Sequence, residues 1–189
     1  MSGDVHVRFC ESRGVRFPPA THLVVLTKHR VEARAADALV RQILADMGLQ
    51  VAEEKSGVRR MTEGFEFLGF SVVGRYLRPR PNALNAFKDR VRNLTRRQAP
   101  VSLPHMIQDL NPVLGGWGTY FALGDVVGLF EDLDGWIRMR LRSKVRGSKA
   151  RSVSNSIMPN HELRTLGLVS LETIVRARRL SPAPGRSLG

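Results

Sequence analysis

The sequence predicts an α+β chain: short antiparallel strands with one helix, followed by a mainly α-helical bundle. Three observations lead there. Runs of β-branched and aromatic residues bounded by Gly and Pro are confined to the part of the chain before Pro79-Arg80-Pro81. Beyond that point apolar residues recur at spacings of three and four, the period of an amphipathic helix. Hydrophobic residues make up 42% of the 189 positions, enough for a packed core.

Taken in order, Leu23-Val24-Val25-Leu26 follows Pro18-Pro19 and reads as a buried strand. Ala36, Leu39, Val40, Ile43 and Met47 then share one helical face, which reads as core, and Gly48 is placed to stop that helix. Leu49-Gln50-Val51 suggests another short strand. Phe65 to Val73, between Gly64 and Gly74, reads as one strand, an arm of a hairpin ending near Leu77. Ala83, Phe87, Val91 and Leu94 mark the apolar face of the next helix. Ser102 is placed to cap a helix through Met106, Ile107 and Leu110. That pattern continues as Val113, Leu114, Trp117, Tyr120 and Phe121, with Pro112 suited to a kink or to the first residue of a new helix. Val126, Phe130, Leu133, Ile137 and Leu141 outline the last long helix. No internal repeat is present.

The change of pattern divides the chain into residues 1–76, strands with one helix, and 77–151, a basic helical domain. Residues 152–189 read as a C-terminal extension, and 181–189, with two prolines and two glycines, as a disordered end.

Thirty Lys+Arg face 17 Asp+Glu, a formal net charge of +13. Such an excess on a small protein implies a polyanionic partner, and nucleic acid is the commonest. Arg dominates, and its planar fork matches phosphate oxygens two at a time. The single cysteine, Cys10, excludes an internal disulfide and a Cys-pair zinc site and fits a reduced thiol. Met1 to Arg8 lacks the apolar core of a signal peptide, and no apolar run is long enough to span a bilayer. A cytoplasmic protein without a membrane partner is expected.

The charge is concentrated. From Ile137 to Arg151 there are seven basic residues and no acidic one. Arg138, Arg142 and Arg146 stack along one side of a helix, with Arg140 and Lys144 on a neighbouring ridge; Lys149 and Arg151 follow. Like charges four apart destabilise a helix by a few tenths of a kcal/mol per pair, a repulsion that intervening phosphates relieve. Lys88, Arg92, Arg96 and Arg97 add to the set from the preceding helix. All of these but Lys149 and Arg151, nine cations, are the candidate RNA-binding residues. Trp117, Tyr120 and Trp136 are candidates for stacking on bases, although their helical spacing equally suits a core.

Three stretches, in order and spacing, resemble the C-terminal portion of a group II intron reverse transcriptase/maturase. Gly64-Phe65-Glu66-Phe67-Leu68-Gly69-Phe70 is similar to the hairpin called the primer grip, so Phe67, Leu68, Gly69 and Phe70 are primer-grip-like. Leu110-Asn111-Pro112-Val113-Leu114-Gly115-Gly116-Trp117-Gly118-Thr119-Tyr120-Phe121 resembles the signature of the maturase-specific thumb, domain X. Phe130 and Leu133 through Arg142 look like the basic helix that follows it. The likeness covers residues 13–147 and extends to Leu166–Leu171. It implies a palm fragment at 1–76, a thumb at 77–151, binding of structured intron RNA or an RNA/DNA duplex, and help with intron folding and splicing. Within the signature, Asn111 is placed to cap a helix beginning at Pro112, and Gly115 and Gly116 to admit a close helix neighbour.

The departure is equally informative. In the family the strand matching Leu23–Leu26 is preceded by Tyr-Ala-Asp-Asp, whose aspartates help hold two Mg²⁺ ions for nucleotidyl transfer. Here those places hold Pro19-Ala20-Thr21-His22, and a lone imidazole is a poor substitute for hard carboxylate oxygens. The fingers and the first half of the palm have no counterpart, as in a frameshifted or truncated reading frame. No catalytic residue, metal ligand or cofactor is therefore expected, Mg²⁺ belonging to intact relatives, and no endonuclease module is recognisable. Two other readings follow from the same resemblance. One is the C-terminal half of a split RNA-directed DNA polymerase, completed by a separately encoded fingers–palm chain. The other is a non-functional mobile-element remnant.

Overall fold

The structure is a computed structural model that describes residues 4–10, 21–49, 51, 53, 56–146 and 158–180. The fold is α+β, and the chain divides into two compact units, residues 1–80 and 81–189.

In the first unit β1 (Asp4–Cys10), β2 (Thr21–Thr27) and β3 (Gly57–Arg60) form an antiparallel sheet in the order β2-β1-β3. Asp4 pairs with Thr27 on one side and with Arg60 on the other. The β-branched run at 23–26 lies in β2, as its composition predicts, but it is not the buried strand expected: Val24 and Val25 are half-buried, while Leu23 and Leu26 are exposed. Of the short strand expected at Leu49–Val51, Val51 makes an isolated bridge and Leu49 is not in a strand; Gln50 lies outside the described residues.

Helix α1 (Arg30–Asp46) starts with a reciprocal cap. The Glu32 carboxylate accepts from the backbone N–H groups of Lys28 and His29, at 3.2 and 3.3 Å, where its charge also complements the helix dipole. Gly48, at φ +70°, turns the chain out of the helix. The stripe expected to be core is only partly so. Ala33 is buried and Ala36 and Val40 are half-buried, but Leu39, Ile43 and Met47 are exposed, Met47 by 67%. The face that packs on the sheet is rotated towards Ala33, Val40 and Leu44, which leaves part of the apolar stripe beside the contact rather than in it.

The run Phe65–Val73 is two strands, not one. Leu68 and Gly69 both take positive φ, +47° and +79°, and close a two-residue turn between β4 (Phe65–Phe67) and β5 (Phe70–Val73). A primed turn of this kind matches the right-handed twist of the flanking strands. A second tight turn at Gly74-Arg75 leads to β6 (Tyr76–Pro79), giving a meander β4-β5-β6. The register puts Phe65, Phe67, Phe70, Val72, Leu77 and Pro79 on one face and Glu66, Ser71, Val73, Tyr76 and Arg78 on the other. The boundary expected near residue 76 falls at the start of β6, and the second unit begins at Pro81.

The second unit opens with α2 (Pro81–Leu94), with Pro81 at the first helical position, where its missing N–H costs nothing. Phe87 and Val91 are buried, as the periodicity predicts. In α3 (Leu103–Phe121), Ser102 caps the first turn by accepting from the His105 N–H. This helix runs through Pro112 as one element, so no new helix begins there. Consequently Asn111 is not a cap. Its side-chain amide reaches across to the loop before the last helix, donating to the Gly167 carbonyl at 2.9 Å and accepting from the Val169 N–H at 3.0 Å.

Helix α4 (Val127–Arg146) buries Phe130, Leu133, Ile137 and Leu141. Two further helices, α5 (Asn160–Thr165) and α6 (Leu171–Leu180), bury Leu163, Leu171 and Val175. Residues 158–180 are thus part of the bundle, with α6 packed on both α3 and α4, where the sequence suggests an extension. The disordered end expected at 181–189 lies outside the described residues.

The close approach in the signature segment occurs at Gly118. A Cβ there would lie 2.8 Å from Leu171 Cδ2 and 2.9 Å from Ile174 Cδ1. At Gly115 and Gly116 it would meet nothing within 4 Å, so those two glycines do not serve the close approach expected of them.

Candidate nucleic-acid interface

Eight of the nine cations singled out from the sequence fall into three groups, and the side chain of the ninth, Arg146, lies outside the described residues. Arg92, Arg96 and Arg97, with Arg90, are exposed at and beyond the C-terminal half of α2. Arg92 bonds Asp89 at 2.6 Å and Arg96 the Asn93 amide at 3.0 Å. Such exposed pairs contribute at most about 1 kcal/mol and are readily exchanged for phosphate. Lys88 is half-buried on the same helix, and Arg138 is half-buried on α4.

Arg140, Arg142 and Lys144 face the protein instead. Arg140 donates through Nε to Thr95 Oγ1 at 2.6 Å, and through a terminal nitrogen to the Arg92 and Thr95 carbonyls at 3.3 and 3.4 Å. These are carbonyls left open where α2 ends, so Arg140 acts as a C-terminal cap from a neighbouring helix. Thr95, almost fully buried, returns its own hydroxyl proton to the Val91 carbonyl. Lys144 donates to the Arg97 and Ala99 carbonyls just beyond. Arg142 is 7% exposed and donates to the Met158 carbonyl at 2.8 Å and to Asn160 Oδ1 at 2.6 Å. Helical spacing groups Arg142 with Arg138 and Arg146; the packing of residues 158–160 over α4 separates it from them. The Arg146 side chain, with Lys149 and Arg151, lies outside the described residues.

The electrostatics show how crowded the charges are. Burial, followed by the positive charges of Arg92 and Arg97, lowers the pKa of Arg140 below the ordinary guanidinium value. Burial and the charge of Arg138 do the same to Arg142. Arg140 and Arg142 remain protonated at neutral pH, each held beside other cations.

The aromatic candidates divide likewise. Trp117 stacks on Phe87, with centroids 4.1 Å apart and planes 19° from parallel, and lies against Phe121 and Phe130, so it belongs to the core. Tyr120 is half exposed, edge-on to Phe121. Trp136 is half-buried, with the guanidinium groups of Arg92 and Arg140 at 5.7 and 5.4 Å from its ring centre. This cation–π pairing holds Arg92 beside the other α2 cations. Periodicity reveals neither the Thr95–Arg140 cap nor the Trp136 pairing, because both depend on how α2 lies against α4.

Phe67, Leu68, Gly69 and Phe70, named primer-grip-like from the sequence, span the β4–β5 turn. Leu68 is exposed there and the Phe70 side chain is buried beneath. Of the residues matched to the Tyr-Ala-Asp-Asp stretch, Pro19 and Ala20 lie outside the described residues, and Thr21 and His22 are described only as backbone in β2. Among the described residues no group of three or more His, Cys, Asp and Glu side chains could hold a metal ion, and no helix is long and apolar enough to cross a membrane.

Arg90, Arg92, Arg96 and Arg97 are thus exposed along and just beyond α2, with Arg138 half-buried on α4, and together they give this unit a basic surface. Residues 84–152, from within α2 to beyond α4, match the family model of the group II intron, maturase-specific domain, so this stretch is similar to that domain. That domain is the non-catalytic, maturase-specific part of such proteins. No curated protein matches the chain.

Proposed function

We propose that the chain is an RNA-binding maturase-type protein that grips structured intron RNA and assists its folding and splicing. The observation that carries this reading is that Arg90, Arg92, Arg96, Arg97 and Arg138, which face outward from α2 and α4, all lie inside the matched segment. Phosphate contacts hold the RNA in place; the neighbouring Arg140 and Lys144 keep α2 and α4 in the relative position that presents them. No step of nucleotidyl transfer is assigned to the chain, since Thr21 and His22 stand where the family places carboxylates, and no cofactor is required. The reduced cytoplasm suits the lone Cys10.

A filter-binding titration against the cognate intron and an unrelated DNA duplex, across salt concentration, tests the reading. Tighter binding to the intron at every salt concentration is expected. Equal affinity for both overturns the maturase role and leaves a nonspecific basic protein.

One observation favours a second reading. The exposed Leu39, Ile43 and Met47 on α1 form an apolar stripe suited to a complementing fingers–palm chain. In that case the protein is the C-terminal half of a split RNA-directed DNA polymerase, and the carboxylates and Mg²⁺ are supplied by the other half. Primer extension by the chain alone is expected to give no incorporation; extension only with the separately encoded half added establishes this reading.

A further inference from the structure

The meander β4-β5-β6 turns an unusual set of side chains to its outer face. Ser71 pairs with Arg78 and Val73 with Tyr76, so the four stand together on one side and line a shallow hollow. Tyr76 is 49% exposed and Val73 47%. The guanidinium groups of Arg75, at the turn, and Arg78, two residues along β6, lie 5.5 and 5.9 Å from the centre of the Tyr76 ring. Neither arginine has a carboxylate partner among the described residues; the Glu66 carboxylate of the same meander pairs with Arg80 instead. This exposed ring at the β5–β6 end of the meander, with two guanidinium groups and a hydroxyl around it, lies away from the apolar side chains of the meander, which occupy the opposite face.

We infer that this face is a binding platform for single-stranded nucleic acid, with one base stacked on Tyr76 against Val73 and the adjoining phosphates held by Arg75 and Arg78. The chemistry is that of sequence-tolerant single-strand recognition, in which any base offers a π-face to an aromatic ring and the backbone follows a row of cations. An apolar partner peptide fits worse, since two guanidinium groups would be desolvated against it without counter-charge. Arg75 and Arg78 pre-orient the ring and gain a phosphate each, so binding relieves the repulsion between them. Ser71 supplies a hydroxyl for a phosphate or sugar oxygen at the edge of the hollow. The platform does not rest on the intron-RNA reading of the helical domain, and it is distinct from the Leu68-Gly69 turn at the other end of the ribbon.

The test uses the full chain and fluorescence anisotropy with two labelled probes, decauridylate and decathymidylate, the pair telling an RNA ligand from a DNA one. Tyr76→Ala is expected to weaken binding about tenfold or more, whereas Tyr76→Phe, which keeps the π-face, retains it. Arg75→Gln with Arg78→Gln is expected to reduce the slope of log affinity against log salt by about 0.7 for each phosphate no longer neutralised. Far-UV circular dichroism and a thermal melt check each variant. Should Tyr76→Ala unfold, Tyr76→Leu, which preserves strand propensity and apolar area but not stacking, takes its place. Unchanged affinity for both probes in the ring and arginine variants alike overturns the platform. A control variant, Arg92→Gln with Arg96→Gln, separates the two readings: it weakens structured intron RNA and leaves the Tyr76-dependent binding of the short probes intact.

Discussion

The carboxylate of Asp134, buried in the middle of α4, accepts from the backbone N–H of Leu171 at 3.0 Å, the first residue of α6. Its other oxygen takes the Glu172 N–H at 3.1 Å and the Ser170 hydroxyl at 2.6 Å. One helix thus caps another. The open N–H groups at the start of α6 are satisfied by a side chain far away in sequence, and the negative charge sits at the positive end of the helix dipole. Asp134→Ala strands these donors in a buried site and is expected to cost about 2–3 kcal/mol, read from urea unfolding. Asp134→Asn, which keeps one accepting oxygen and removes the charge, should fall between the two.

Asn111 provides the second clasp on the same segment, through Gly167 and Val169. Asn111→Ala removes a donor and an acceptor together, for an expected loss of about 1–2 kcal/mol. Asn111→Asp keeps the bond from the Val169 N–H but sets a carboxylate against the Gly167 carbonyl, so it should not restore full stability. Chemical denaturation of the three proteins side by side decides it.

The glycines of the signature segment offer a contrast that the sequence could not show. Gly115 and Gly116 face open space, so alanine at either is expected to stabilise α3 by up to about 1 kcal/mol through helix propensity. At Gly118 a Cβ meets the ends of the Leu171 and Ile174 side chains. Those ends can shift for alanine, which should be near neutral, but not for the branched Gly118→Val, expected to cost about 1–3 kcal/mol. Melting temperatures in the order Gly115→Ala, parent, Gly118→Val are the outcome to look for.

Which parts of this protein could be read from its residues follows from the range of the forces involved. Helices α2, α3 and α4 announce themselves because Phe87, Val91, Ile107, Leu110, Phe130, Ile137 and Leu141 repeat with the helical period and are buried together. Periodicity finds the apolar side of a helix but not how much of it a neighbour covers, so Leu39, Ile43 and Met47 look like core and are exposed. Likewise a ridge of arginines says nothing about what lies over it. Arg142 disappears beneath Met158 and Asn160, while Arg138, one turn earlier, is only half covered. The split of Phe65–Val73 is hidden because Leu68 is an unusual residue at positive φ, where the common signal is Asn-Gly or Asp-Gly.

That turn yields a prediction of its own. Leu68 at φ +47° is 54% exposed, so it carries backbone strain with little burial in return. Leu68→Asn creates the favoured Asn-Gly pair and is expected to stabilise the meander by about 0.5–1 kcal/mol. The check is a higher denaturation midpoint with an unchanged far-UV spectrum.

Arg138 and Arg142 are one helical turn apart on α4 and should respond to neutralisation in opposite ways. Arg142 is committed to Met158 and Asn160, so Arg142→Gln breaks buried charged hydrogen bonds and is expected to cost about 2–3 kcal/mol of stability. A group already saturated by the protein has no fork to offer a phosphate, so the salt dependence of RNA binding by the folded variant should match the parent. Arg138 has no hydrogen-bond or ion-pair partner among the described residues. Arg138→Gln should leave the melt unchanged within about 0.5 kcal/mol and lower the salt slope by about 0.9 on a duplex region, the signature of one fewer neutralised phosphate. Binding isotherms between 50 and 200 mM salt, a range over which roughly six to ten phosphate contacts cost on the order of 10³–10⁵ in affinity, resolve a difference of that size. If instead Arg142→Gln flattens the slope and Arg138→Gln does not, residues 158–160 lift away from α4 when RNA binds, and the phosphate ridge runs through Arg142 after all.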